Sequence, residues 1–415
     1  MNITRRVFIK GSGISMLGYS ALPAFLQRAV AATPMPNKKI LVVLFQRGAM
    51  DGLNAVVPYA EANYYRLRPT IAIPRPRGDS KDAALDLDGF FGVHPSLEPL
   101  VPMFKGGQLA IVHAAGSPDT SRSHFDAQDY MEAGTPGVKS TEDGWLNRHL
   151  QRMEAQEETP FRAVAMGQNL PRTLKGPASA LALPDVRQFQ VMSQAPVVQG
   201  GFEAIYAQTV DKALRGTGTE TFEAIDMLKK SNPERIPVEN GARYPNGRFG
   251  QSLRQIAQLI KSNIGLEVAF LDSGGWDHHV NEGGVQGQIA NLLREMGAGL
   301  AAFSQDMGAR MEDITVVTMS EFGRTAHENG NRGTDHGHAN CMFVMGGGVA
   351  GGKVYGKWPG LEREQLYEGR DLALTTDFRT VLSEIIDRRL GNRNLRAVFP
   401  GFAADAKKYV GVIKA

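Results

Sequence analysis

Five short apolar runs, each bordered by a burst of polar residues, constrain the fold of this chain more than any other feature. They are Ile40–Phe45, Leu109–His113, Leu266–Leu271, Ile314–Met319 and Met342–Met345. Rich in β-branched residues and too short for ordinary helices, they read as strands buried on both faces. Between and after them the apolar spacing changes to 3.6 residues. Phe249, Leu253, Ile256, Ala257 and Ile260 form one stripe. Val285, Ile289, Leu292, Leu293, Met296, Leu300 and Phe303 form a second, and Phe378, Val381, Leu382, Ile385, Ile386 and Leu390 a third. Such stripes are the core faces of helices. The alternation predicts an α/β fold: a doubly wound, largely parallel central sheet with helices on both faces. Residues 134–245, richer in Pro, Gly, Gln and charge, are expected to form an inserted lid or cap, with helices at Gly201–Leu214 and Thr221–Lys230.

The N-terminus reads Thr4-Arg5-Arg6-Val7-Phe8-Ile9-Lys10, then a glycine-interrupted apolar stretch from Gly11 to Leu26, then Ala29-Val30-Ala31. A charged start, a short apolar segment and a small-x-small cleavage site make a signal peptide. Paired arginines followed by two apolar residues and a lysine match the twin-arginine export signal. Gly11, Gly13, Gly18 and Pro23 interrupt the apolar run too often for it to span a bilayer well. The expectation is a signal peptide over 1–31 and a mature α/β domain over 32–415, carried by the twin-arginine translocase to the periplasm or beyond, with no stable membrane span. The segment holds Arg5, Arg6, Lys10 and Arg28 and no acid, so its removal turns a formal charge of +3 into −1. No basic surface remains to suggest nucleic acid. Cys341 is the single cysteine, which excludes an internal disulfide, a Cys-x-x-Cys-His haem site and a cysteine-held iron–sulfur cluster. No Gly-x-Gly-x-x-Gly follows a strand, and no Gly-x-Ser-x-Gly elbow occurs in the mature chain.

In a doubly wound sheet, ligands bind beyond the carboxyl ends of the strands. Four polar clusters directly follow expected strands: Gln46–Asn54, Ala114–His124, Asp272–His279 and Ser320–Arg324. A fifth, Gly333–Asn340, precedes a strand and needs a loop returning to the same edge. Asp277 and His279 are two apart, so on an extended segment both side chains point one way, and Gly274 and Gly275 permit a tight loop. Together with His336 they read as ligands of a divalent metal. Imidazole mixed with carboxylate suits zinc, iron or manganese, whereas an all-oxygen set suits calcium or magnesium. Asp51 reads by itself as a helix cap, and Glu321 as a partner of Arg324. His278 is open between structure and ligation. His94, His113, His149 and His327 read as core or surface histidines. Thr120, Ser121 and Ser123 open a helix expected over Ser123–Glu132, either as caps or where its N–H groups and dipole stabilise an anion. Arg122, with Arg47 and Arg324 behind it, can clamp a phosphate or sulfate bidentately. His338 is a further expected substrate contact.

The order of these clusters resembles the alkaline phosphatase superfamily, which includes sulfatases and phosphodiesterases. That resemblance implies Asp51, Asp277, His279, Glu321 and His336 as metal ligands, around one or two ions. Zinc is the first choice, with manganese, iron or calcium as alternatives. It also implies a hydroxyl nucleophile, for which Ser123 is preferred over Thr120 and Ser121, with Arg122 beside it. More closely, the chain resembles a large family of twin-arginine-exported bacterial proteins carrying domain of unknown function 1501. The motifs are Phe45–Pro58, Ser121–Asp126, Gly274–His279, Ser320–Thr325 and Gly333–His338, and the likeness spans nearly the whole mature chain. Two departures bear on the metal: the superfamily's Asp-x-x-x-His is Asp277-His278-His279, and its later Asp-His is Glu321-Phe322. Cys341 lies in no Cys-x-Pro-x-Arg motif, which speaks against a formylglycine sulfatase. The expected function is an exported metal-dependent hydrolase of phosphate or sulfate esters, small or polymeric. The competing expectation is a non-catalytic periplasmic binding or assembly protein that keeps the fold and a structural metal.

Overall fold

The computed structural model describes residues 39–78, 80–153, 159–186, 224, 227–228 and 230–414. The expected signal peptide and the helix Gly201–Leu214 lie outside these residues, as does most of Thr221–Lys230.

All five expected strands are present in one nine-stranded sheet among the described residues. They are β1 (Ile40–Gln46), β2 (Leu109–Gly116), β5 (Val268–Ser273), β6 (Ile314–Met319) and β7 (Asn340–Gly346). Four short strands complete it: β3 (Ala163–Ala165), β4 (Leu181–Ala182), β8 (Val354–Tyr355) and β9 (Thr376–Asp377). The order is β8-β2-β7-β6-β1-β5-β3-β4, with β9 pairing on β2. Every pairing is parallel except those of β7, which runs against both β2 and β6. The fold class is therefore the expected one. The described part of residues 134–245 supplies β3 and β4 to the central sheet.

Strand β1 shows why the apolar runs are unbroken. Val42 and Leu44 join one core with helices α4 (Arg248–Lys261) and α5 (Gln288–Met307). Leu41, Val43 and Phe45 join another with α3 (Trp145–Arg152) and α6 (Phe378–Glu384). All five side chains are fully buried, so neither face of the strand can be polar. The three helical stripes line these cores as expected, except that Val285 precedes α5, Ile385 and Ile386 fall in a π-turn after α6, and Leu390 follows that turn.

Reversal of β7 answers the question raised by the fifth polar cluster. Asn340 at its start pairs with Ala115 near the end of β2. Gln46 pairs with Ser273, and Phe45 with Met319, at the ends of their strands. The loop entering β7 thus lies on the same edge as the loops leaving its parallel neighbours. No helix among the described residues is long and apolar enough to cross a membrane.

Candidate metal centre

Three histidines and an aspartate converge at this edge from loops that are far apart in sequence. His124 opens helix α2 (His124–Ala133) beyond β2; Asp277 and His279 follow β5; His336 precedes β7. His279 Nε2 lies 3.0 Å from Asp277 Oδ1, His336 Nε2 3.2 Å and His124 Nε2 3.4 Å from the same oxygen. His279 Nε2 and His336 Nε2 are 2.9 Å apart. Donor atoms of His124, Asp277 and His336 all fit within 4.8 Å of one another.

The outer nitrogen of each ring is fixed by an oxygen. His124 Nδ1 donates to Glu321 Oε1 (2.7 Å), His279 Nδ1 to Asp335 Oδ1 (2.9 Å) and His336 Nδ1 to the Arg122 carbonyl (2.8 Å). A proton on Nδ1 leaves the lone pair on Nε2, so the lone pairs of His124 and His336 join Asp277 Oδ1 in one group, with His279 Nε2 beside His336 and Asp277. Outer-shell oxygens of this kind are what orient metal-ligating imidazoles. Buried His124 Nε2 has no hydrogen-bond partner, an orphan that costs about 1–3 kcal/mol unless a cation meets it. A tetrahedral ion held at ~2.1 Å separates its ligand atoms by ~3.4 Å, close to the spacing here. The residues fit a divalent metal.

Burial and the charged partners shift the groups of the site in different directions. Burial raises the Asp277 pKa, but the hydrogen bond and charge of Arg324, then the charge of His124, outweigh it and hold the carboxyl at about 2. Burial likewise pushes Glu321 up, and hydrogen bonds from His124, Gln128 and the Gly48 N–H bring it below the ordinary range. The Glu321 hydrogen bond raises His124, whereas burial lowers His336. One side stays open to solvent: the side chains of Asp277 and His279 are 44% and 40% exposed.

A family profile described as "Protein of unknown function (DUF1501)" matches residues 38–399. The chain belongs to that family. No curated protein matches this DUF1501 member at a significant level. Among the solved structures similar to it are two enzymes. One is PsFucS1 sulfatase from Pseudoalteromonas sp., 12% identical over 94% of this chain and 75% of that one, with a TM-score of 0.40. The other is the lipoteichoic acid synthase LtaP from Listeria monocytogenes, 9% identical over 75% of this chain and 67% of that one, with a TM-score of 0.34.

Of the five ligands expected in this DUF1501 chain, Asp277, His279 and His336 meet. Asp51 does not take part. Both its oxygens are held by the buried Arg68 guanidinium, and Oδ1 also caps the short helix α1 (Gly52–Ala55) by accepting from Leu53 N–H. Glu321 faces away from the common point and accepts from His124, so it orients a ligand and is not one.

The expected substrate groups are also otherwise engaged. Ser123 is the N-cap of α2, its Oγ accepting from Asp126 N–H at 3.4 Å, and Ser121 Oγ accepts from Ser123 N–H. Arg122 bridges Glu368 and Asp371 at 2.6 and 2.8 Å, leaving its carbonyl to position His336. Arg47 pairs with Glu132 and Asp272. Buried Arg324 donates to Asp277 and to the carbonyls of Gly48, Ala49, Trp276 and Thr334, and so ties the site loops together. His338 stacks on Tyr367, ring centroids 4.5 Å apart.

His124 is the candidate ligand that sequence reasoning missed. It lies inside the Ser121–Asp126 motif, one residue beyond the cap, and an imidazole at a strand-end motif was the available signal. Gly48 belongs to the site for another reason. Its φ of +112° suits glycine, and a Cβ there would lie 2.7 Å from Asp277 N.

Proposed function

We propose that this chain is a metal-dependent hydrolase of phosphate or sulfate esters, delivered to the periplasm by the twin-arginine translocase. The observation that supports it is the set of three inward Nε2 atoms and Asp277 Oδ1, each held by a partner outside the centre. A divalent ion held by these residues, zinc before manganese, iron or calcium, would supply Lewis-acid chemistry toward an ester oxygen and water. Protein groups do the rest. Glu321, Asp335 and the Arg122 carbonyl keep the imidazoles oriented, and Arg324 keeps Asp277 ionised. The half-exposed side of Asp277 and His279 gives a substrate access. Ser123 Oγ caps α2 and Ser121 Oγ accepts from the Ser123 N–H, which favours water over either hydroxyl as the nucleophile.

Metal-loaded protein should turn over an aryl phosphate, an aryl phosphodiester or an aryl sulfate. Asp277→Ala should lower that turnover by more than the roughly 100-fold that losing an outer-shell partner costs. Unchanged turnover in the variant would end the assignment. The capped hydroxyls also favour a second reading, a binding or assembly protein with a structural metal. Tight metal binding without turnover on a broad ester panel would select it.

A further inference from the structure

Asp51 and Arg68 make a second charged locus beside the centre, and the proposed function gives them no role. Arg68 is fully buried. Its guanidinium donates to both oxygens of Asp51, to Asn54 Oδ1 (2.8 Å), to Thr325 O (2.8 Å) and to Ala326 O (3.0 Å). These five contacts use all five of its N–H groups. Two carboxylate oxygens, a side-chain amide oxygen and two carbonyls are also the donors that a hard divalent cation gathers. Here the chain fills that oxygen cage with a cation of its own. Guanidinium does not deprotonate in proteins, and removing it would take from the buried Asp51 carboxylate its closest charge partner, leaving the Leu53 N–H and Glu282 as its hydrogen-bonding neighbours.

The neighbouring carboxylates are committed in the same way. Arg324, just before the carbonyls that hold Arg68, donates to Asp277 Oδ1 at 2.7 Å. Glu321 accepts from His124, Gln128, Gly48 N–H and Ser320 Oγ. Asp335 accepts from His279 and Asn329. Glu282, fully buried, accepts from Thr334 Oγ1 (2.6 Å), and burial with the Asp51 charge pushes it well above the ordinary carboxylate range, which favours its protonated form. The donor atoms gathered at one point are the imidazole Nε2 atoms with Asp277 Oδ1.

We propose that the chain takes a single divalent ion, on His124, Asp277, His279 and His336, because the oxygen-lined position at Asp51 is already filled by Arg68. This rests on the metal centre of the proposed function and adds to it a stoichiometry and an ion class. An ion that accepts nitrogen, such as zinc, binds; calcium and magnesium do not.

Full-length protein stripped with a chelator, then titrated with zinc by calorimetry and elemental analysis, tests it. One zinc per chain is expected, with millimolar calcium or magnesium neither displacing it nor adding a second ion. Asp51→Asn should leave the count at one. The wild type decides even where that variant fails to fold. In cobalt-substituted wild-type protein, the paramagnetic signal should rise in proportion to metal up to one equivalent and then stop. A second tight equivalent, a signal quenched by a coupled pair, or calcium occupying a site lost in Asp51→Asn would overturn the inference and leave the hydrolase reading standing. No bound zinc at all would overturn both.

Discussion

Three imidazole nitrogens facing one carboxylate oxygen form a group that a folded chain holds together only by fixing each member from behind. Glu321 does this for His124 from complete burial, where its charge is sustained by hydrogen bonds from His124, Gln128 and Gly48. Glu321→Gln keeps the shape and removes the charge. Zinc affinity, measured against a competing chelator, should fall about 10- to 100-fold, with the far-ultraviolet circular dichroism unchanged. An unaltered affinity would mean that Glu321 only packs. Asp277, His279 and His336 were legible in the sequence because they cluster with glycines at strand ends. His124 was not, since a lone histidine next to a capping serine looks like part of the cap. The Asp51–Arg68 pair was illegible for a different reason: its partners stand 17 residues apart, with no periodicity to link them.

At the level of elements, helix α2 carries His124 into the site and takes its cap from Ser123. A cap and a nucleophile have different signatures on removal. Ser123→Ala should destabilise the protein by about 0.5–2 kcal/mol in urea unfolding while ester turnover stays within a few-fold of wild type. Turnover abolished at normal stability would restore Ser123 as the attacking group. The long strands could be read from sequence because burial on both faces leaves no polar break. By contrast, β3, β4, β8 and β9 have two or three residues each, too few for any pattern to show. The direction of β7 could not be read either, because a run buried on both sides looks the same whichever way it travels.

For the whole molecule, the buried histidines set the response to acid. Burial lowers His94, His113 and His149 from the usual 6.5 to about 4. Each therefore binds a proton in the unfolded chain before it does in the fold. Their neutral forms contribute stability in full above pH 6.5, and that contribution is lost as pH falls towards 4. The slope is on the order of 1.4 kcal/mol per pH unit for each group across that window. Urea midpoints should drop steadily between pH 6.5 and pH 4.5, and a flat profile there would contradict the burial of these rings. Strand β7 reaches beyond the sheet itself. A slip of one residue moves a strand about 3.4 Å and turns every side chain to the other face. His336 hangs four residues ahead of Asn340, so the pairing of β7 with β2 and β6 measures out where its imidazole lands. Capture of an ion by all four donors would consequently certify that the last long strand had found its place, making metal uptake a late event and a proofreading signal for assembly.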